Sequence, residues 1–177
     1  GGTPTHLGPD GVKRLFSEFH DALQPLPTAE VTIEANPLDV SESMIEAFHE
    51  CGINRVSLGV QSLNSVTLKK LDRDHRESHV RQVMNLLRKS GLTVSVDLII
   101  AVPGQTLDLV ARDVEEIISL CAHHVSVYCL TWEVGTAFWG KRARGTLTPV
   151  VEDLEREMFE LVIDQLSDAG YQQYEVS

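Results

Sequence analysis

Three polar side chains end or interrupt apolar, strand-like stretches of this sequence. Glu34 follows VTI, Gln61 follows RVSLGV, and Asp97 lies inside VSVDLII. A carboxylate or amide on a buried strand costs free energy unless it is bonded or has a function. The carboxyl ends of parallel strands share one mouth of a (β/α) barrel, which is where such folds bind ligands. The positions therefore predict a ligand-binding or acid–base site at that mouth.

Each of these side chains also has a structural interpretation. The Glu34 carboxylate can accept hydrogen bonds from ribose hydroxyls or an ammonium group, or it can form a salt bridge with Arg55. The Gln61 amide suits a sugar or adenine edge, but it can also cap a loop. Asp97 must be paired or hydrogen-bonded in its apolar run, either within a site or in a structural ion pair.

A glycine pair and an arginine are further candidates. Gly1 and Gly2 allow the backbone to approach a ligand closely and leave N–H groups free, although such a pair is also found in tight turns. Arg73 could clamp a carboxylate in a bidentate manner. Alternatively, Arg73 could form a local ion pair with Asp72 or Asp74.

The segment after the fourth strand-like run carries polar and aromatic groups. Thr131 and Trp132 follow that run directly, and both substrate contact and ordinary lid packing would account for them. The one basic cluster of the chain, Lys141-Arg142-Ala143-Arg144, lies further along and is interpreted as a solvated loop.

Helical and strand-like patterns alternate along the chain with short connections. The predicted strands are 30–35, 55–60, 93–101, 125–130 and 174–177. The predicted helices are 9–23, 41–51, 64–71, 77–90, 107–121 and 151–169. Such alternation is typical of parallel βα units, hence an α/β fold with outer helices. A doubly wound sheet would give the same order, but polar groups at several strand ends favour a partial (β/α) barrel.

Composition limits the class of protein. The net charge of −11 argues against a nucleic-acid-binding surface, and no apolar run is long enough to span a membrane. The cysteines, Cys51, Cys121 and Cys129, match neither a zinc site nor a disulfide framework. Their apolar surroundings predict reduced, buried thiols and a cytoplasmic protein, or a mitochondrial one in a eukaryote.

Seven phrases in order then point to a family. They are GGTPTHL, TIEANP, NRVSLGVQS, LDR, VDLIIAVPGQT, HVSVYCLTWEVGTAF and GYQQYEVS. Together they resemble the radical S-adenosylmethionine (SAM) enzymes of the oxygen-independent coproporphyrinogen III oxidase family, over essentially the whole chain. EANP and YEVS are more similar to the heme-chaperone branch of that family than to the dehydrogenase branch.

The resemblance implies a radical SAM barrel and assigns roles to particular residues. Gly1, Gly2 and Thr3 match the glycine motif that contacts the methionine part of SAM. The other implied SAM contacts are Glu34, Gln61, Arg73, Asp97 and Thr131. The family also implies a 4Fe–4S cluster, and its chaperone branch implies heme or porphyrin and respiratory heme-acceptor proteins as partners.

One departure from the family is decisive. Its cluster motif, CxxxCxxC, is absent, and the three cysteines present have the wrong spacing to replace it. Residues 1–177 are therefore expected to be the central part of a radical SAM core domain, inactive alone, with an apolar sheet edge exposed where earlier strands would pair. A coproporphyrinogen III dehydrogenase, a binding domain without a cluster, and an unrelated barrel enzyme using Glu34 and Asp97 as acid and base are the alternatives.

Overall fold

Helix and strand alternate as predicted in the computed structural model, which describes residues 2–175. The strands are β1 (Thr32–Ala35), β2 (Arg55–Gln61), β3 (Thr93–Ile100) and β4 (His124–Cys129). The helices are α1 (Gly8–Leu23), α2 (Glu42–Glu50), α3 (Ser65–Lys70), α4 (Glu77–Ser90), α5 (Leu107–Ser119), α6 (Ala137–Ala143) and α7 (Glu152–Asp168). A short 3-10 helix, Pro4–Leu7, precedes α1.

The strands form one sheet in the order β1-β2-β3-β4. β1 and β2 run parallel. The Thr93 N–H donates to the Asn54 carbonyl at the beginning of β2 and β3, and the Leu130 N–H donates to the Ile100 carbonyl where β3 and β4 end. Neighbouring strands therefore run in the same direction, which confirms the predicted α/β fold with a parallel sheet.

Alternation along the strands separates an apolar face from a polar one. Ile33 and Ala35 of β1 are buried, as are Val56, Leu58 and Val60 of β2. The residues between them, Glu34 among them, are partly or fully exposed. Since side chains alternate between the two faces of a strand, the polar groups of β1 and β2 share the face opposite the core.

The chain divides into two compact units. The first unit is Gly1–Val60, Glu77–Asp97 and Ala122–Val125, and the second is Gln61–Arg76, Leu98–Cys121 and Ser126–Ser177. In the first unit α1 packs on α2, and α2 contacts α4. In the second unit α5 packs on α7. Fully buried aliphatic side chains form both cores, for example Leu87 in the first and Ile117 in the second.

Side-chain caps fix where several helices begin. The Ser41 hydroxyl accepts from the Met44 N–H at 3.2 Å and is the N-cap of α2. Asn64 accepts from two N–H groups at the start of α3, and Thr106 caps α5 in the same way. A capping side chain satisfies a backbone donor that has no partner inside the helix, so these residues set the path from each strand into the next helix.

The structure differs from the prediction in two segments. Tyr174 and Glu175 lie in no strand, so the predicted strand 174–177 is wrong there; its last two residues are outside the described range. The basic cluster is not a loop: Lys141, Arg142 and Ala143 are the last turn of α6, with Arg144 as its C-cap. α6 has no buried residue, so it lacks the apolar periodicity by which a helix is predicted.

Among the described residues, no helix is both long enough and apolar enough to cross a lipid bilayer.

Candidate functional site

Glu34, Ser57 and Asp97 form one row across three strands of the first unit. Glu34 of β1 is the register partner of Ser57 in β2. The Ser57 hydroxyl lies 3.1 and 3.0 Å from the two carboxylate oxygens of Asp97 in β3, to which it donates. The structure thus brings two of the predicted site residues into one row, with Ser57 between them.

The Glu34 carboxylate is exposed and free for a ligand. It makes no hydrogen bond or ion pair with any residue in the described range. Arg55 instead lies 3.5 Å from Glu30 and 3.4 Å from the Thr32 hydroxyl. The alternative of a Glu34–Arg55 salt bridge is therefore wrong.

Asp97 is half-buried and hydrogen-bonded, as its apolar surroundings required. Two residues earlier on β3, the fully buried Ser95 hydroxyl pairs with Nδ1 of His124 at 2.8 Å. Hydrogen bonds from two neighbouring strands therefore hold the polar face of β3. The sequence reasoning missed Ser57, although counting by twos back from Gln61 would have placed it on this face.

The glycine segment is anchored to the loop after β1. The buried Thr5 hydroxyl donates to Asp39 at 2.8 Å and accepts from the Asn36 N–H at 3.2 Å. Gly2 has φ 127°, a conformation that side chains rarely allow, so glycine is required there. Thr3 is the residue before the 3-10 helix. Gly1, the remaining predicted member of this motif, lies outside the described residues.

An apolar groove of about 790 Å³ lies beside β1 in the first unit. Its lining includes Phe19 and Leu23 of α1, which are 44% and 62% exposed, and also Gly2 and Glu34. β1 is the end strand of the sheet among the described residues. The exposed apolar side chains at this groove belong to α1, whereas Ile33 and Ala35 of β1 are buried, so the exposed apolar sheet edge stays a prediction.

In the second unit, a buried aspartate holds the turn that follows Gln61. Asp113 of α5 is 5% exposed, accepts from the Ser62 hydroxyl at 2.5 Å and accepts from the Leu63 N–H at 3.0 Å. The Ser62 oxygen also accepts from the Asn64 N–H. Ser62 and Asp113 therefore accept hydrogen bonds from the backbone N–H groups of this loop. The sequence alone did not assign them this role.

Gln61 itself is half-buried and has φ 64°, a left-handed conformation that is uncommon for a residue other than glycine. Its amide makes no hydrogen bond with a described residue. The alternative of Gln61 as a loop cap is wrong, and its amide remains free for a ligand.

Arg73 is exposed, and its guanidinium forms no ion pair with Asp72, Asp74 or any other described residue. The alternative of local pairing is therefore wrong. Thr131 is also exposed, directly after Leu130. No hydrogen bond between described residues joins Gln61, Arg73 and Thr131, so the structure leaves their common role a prediction.

The loop after β3 is fixed by a lysine in the same unit. The Lys70 amine donates to the Pro103 carbonyl, and a Cβ at Gly104 would lie 2.6 Å from that amine. Ala101, at the end of β3, has φ 59°. Left-handed residues thus stand at the ends of both β2 and β3, and such strained positions cluster at ligand sites.

The cysteines do not form a cluster site. Cys51 is buried and Cys129 is half-buried, but Cys121 is exposed, so the prediction of three buried thiols is wrong for Cys121. Burial, followed by Glu155, raises the pKa of Cys129 to about 11, and burial raises that of Cys51. In residues 2–175 no group of three His, Cys, Asp or Glu side chains could hold a metal. Iron–sulfur clusters need thiolates, so these residues do not fit one.

The raised pKa of Cys129 predicts slow alkylation. At pH 8, iodoacetamide should modify exposed Cys121 well before Cys129, because only the thiolate reacts. Trypsin releases both cysteines in one peptide, 113–141, so fragment-ion mass spectrometry of that peptide is needed to measure the rate at each cysteine. The Cys129 rate should rise until the pH passes about 11. Since the neutral thiol is favoured in the fold, this residue's contribution to stability should be lost as pH rises from about 9 to 11. Equal rates for the two residues at pH 8 would contradict the assignment.

Comparison with known proteins shows the family to which the sequence is similar. The sequence signature described as Radical SAM superfamily matches residues 1–121. Over its whole length the chain is 39% identical to the heme chaperone HemW of Lactococcus lactis, covering 47% of that protein. It is 34% identical to the mitochondrial radical S-adenosyl methionine domain-containing protein 1 of Danio rerio, covering 40% of it.

A solved structure shows the same fold. The coproporphyrinogen III oxidase HemN of Escherichia coli, a radical SAM enzyme, superposes with a TM-score of 0.86 at 26% identity, over 97% of this chain and 40% of HemN. The chain therefore spans about half the length, or less, of the relatives it matches. The sheet and its helices correspond to part of a radical SAM (β/α) barrel. This chain belongs to the radical SAM superfamily.

Proposed function

We propose that this chain is the central part of the core domain of a HemW-like heme chaperone, which binds SAM and a 4Fe–4S cluster. The observation that carries the proposal is 39% identity along the whole chain with a heme chaperone, against 26% with HemN. Respiratory heme-acceptor proteins are the proposed recipients, and the cytoplasm is the proposed compartment.

The first unit would bind SAM through its free carboxylate. SAM carries an ammonium group and a ribose diol, and both are donors to a carboxylate. Glu34 has no hydrogen-bond partner within residues 2–175, and Asp97 is held in the same row by Ser57. Gly2 and Thr3 would contribute backbone groups beside the groove that both Gly2 and Glu34 line.

The second unit would supply donors and an amide. SAM also has a carboxylate, for which a free guanidinium is the complementary partner. Arg73 offers that group, and the Gln61 amide can both donate and accept. Thr131 would contribute a backbone contact, in accordance with the family resemblance.

The cluster would be held by residues outside these 177. The family's CxxxCxxC motif is absent from the sequence, and the cysteines present do not converge. In the sheet that the described residues form, β1 is the end strand and has apolar neighbours, so the groove beside it is suited to cover by a further strand. In the intact protein such a cluster would supply the electron needed for SAM cleavage.

A second candidate is an oxygen-independent coproporphyrinogen III dehydrogenase. The TM-score of 0.86 with HemN over nearly the whole chain favours it. In that case the protein would oxidatively decarboxylate two propionates of its substrate, using the same SAM contacts.

One experiment separates the two functions. The intact protein, purified without oxygen and with its cluster reconstituted, is offered hemin with an apo heme protein, and separately coproporphyrinogen III with SAM. A heme chaperone should bind hemin and transfer it while leaving coproporphyrinogen unchanged. Formation of protoporphyrinogen would reject the chaperone proposal in favour of the dehydrogenase, and failure to bind hemin would also reject it.

A further inference from the structure

The second unit carries a surface group of rings and cations that none of the proposed SAM contacts uses. We call it the aromatic–cationic cluster, and it consists of Trp132, Phe138, Trp139, Lys141 and Arg142. It begins one residue after Thr131 and occupies α6 and the segment before it. Both tryptophans of the chain belong to it.

The rings and cations of the cluster contact each other directly. The Arg142 guanidinium lies 5.4 Å from the ring centre of Trp132 and 5.9 Å from that of Trp139. The Lys141 amine lies 5.6 Å from the centre of Phe138, whose ring meets Trp132 edge-to-face at 6.1 Å. Cation–π and edge-to-face contacts order these side chains without a core beneath them.

No residue of the cluster is fully buried, and only Trp132 and Phe138 are half-buried. No residue of α6 is buried, Trp139 is 37% exposed, and neighbouring Val134 is 80% exposed. Large aromatic side chains lose hydrophobic stabilisation when they remain at the surface, and exposed apolar groups in one place mark interaction sites. The cluster is therefore better explained by something it binds than by the folding of this unit.

Its charge is opposite to that of the chain as a whole. Residues 131–148 hold three cations and a single carboxylate, Glu133, while the chain has a net charge of −11. The third cation, Arg144, folds back on α6, since a Cβ at Gly140 would lie 3.2 Å from its guanidinium. A positive, aromatic surface on an acidic protein is complementary to a flat ligand that carries carboxylates.

We propose that the aromatic–cationic cluster binds a tetrapyrrole, with its rings against the macrocycle and Arg142 and Lys141 paired with the propionates. This inference rests on the proposed function, which requires a heme or porphyrin to be held somewhere. A tetrapyrrole combines a wide apolar plane with two carboxylates on one edge, and the cluster offers one group for each. Arg142 remains able to donate to a carboxylate while its face lies on the indoles.

The test is hemin titration of the intact apoprotein, followed by Soret absorbance and by quenching of tryptophan fluorescence. Trp139→Leu should raise the dissociation constant about tenfold, because a stacking contact is lost. Arg142→Gln should raise it about fivefold, because the ion pair that is lost is exposed to solvent and therefore weak. Heme dimethyl ester, which lacks free carboxylates, should bind wild type and Arg142→Gln equally.

A matched control is Arg88→Gln, which removes an exposed cation at the end of α4 and should leave hemin affinity unchanged. Because the substituted side chains are exposed, far-ultraviolet circular dichroism and melting temperature should match wild type. If Trp139→Leu and Arg142→Gln both bind hemin with wild-type affinity, this inference is overturned, but the heme-chaperone proposal is not. No hemin binding by wild type would overturn both. Loss of heme transfer alone, at unchanged hemin affinity, would overturn it in favour of an acceptor protein as occupant.

Discussion

Replacement of Glu34 by glutamine is expected to raise the dissociation constant for SAM by about tenfold or more. A hydrogen bond to a charged group contributes about 1.5–3 kcal/mol, and 1.4 kcal/mol corresponds to a factor of ten. Glutamine keeps the shape of the side chain but removes the charge that would face the ammonium group. Because Glu34 has no partner among the described residues, the substitution breaks no contact in that part of the chain.

The measurement is isothermal titration calorimetry of SAM into the intact, cluster-reconstituted protein without oxygen. Glu30→Gln is the matched control, because Glu30 is an exposed carboxylate two residues before β1 and its weak pair with Arg55 contributes less than about 1 kcal/mol. Asp97→Asn should also weaken SAM binding. If Glu34→Gln and Asp97→Asn both bind SAM with unchanged affinity, SAM does not bind at this row of residues. The alternative that Glu34 and Asp97 act as acid and base would then be favoured.

The sequence predicts those elements that bury one face. α4, with apolar residues at helical spacing, is found at the predicted bounds, Glu77–Ser90, and β3 ends one residue from its predicted end. α6 could not be predicted because none of its residues is buried, so its sequence has no apolar period. A strand at Tyr174 was predicted from local preference alone, yet a strand needs a paired neighbour.

The candidate site was predictable only in part, because sequence patterns report local structure and not contacts between residues far apart in the chain. Position within or after an apolar strand-like run selected Glu34, Gln61 and Asp97 as candidates, because the alternation of a strand is a local property. Their role in a site stays a prediction. Their supports are not local. Ser57 reaches Asp97 across 40 residues of sequence, and Ser62 reaches Asp113 across 51. Such pairs depend on which strands and helices become neighbours, which periodicity does not specify.

The second large effect is expected for stability. Asp113→Ala should lower the free energy of unfolding by about 3 kcal/mol, since the buried Leu63 N–H and the Ser62 hydroxyl would both lose this acceptor, at about 1–3 kcal/mol each. In a chain of this length, that corresponds to a melting temperature lower by roughly 10 °C. Urea unfolding followed by circular dichroism measures the change.

Two further variants show whether the hydrogen bonds are responsible. Asp113→Asn keeps one carbonyl oxygen for the Leu63 N–H, so about half of the loss is expected. Glu115→Ala removes an exposed carboxylate from the same helix and should change stability by less than about 0.5 kcal/mol. In a double-mutant cycle, Ser62→Ala should cost less in the Asp113→Ala background than in wild type, because the contact is already absent. Additive losses would mean that Asp113 stabilises this turn through contacts other than its hydrogen bond with Ser62.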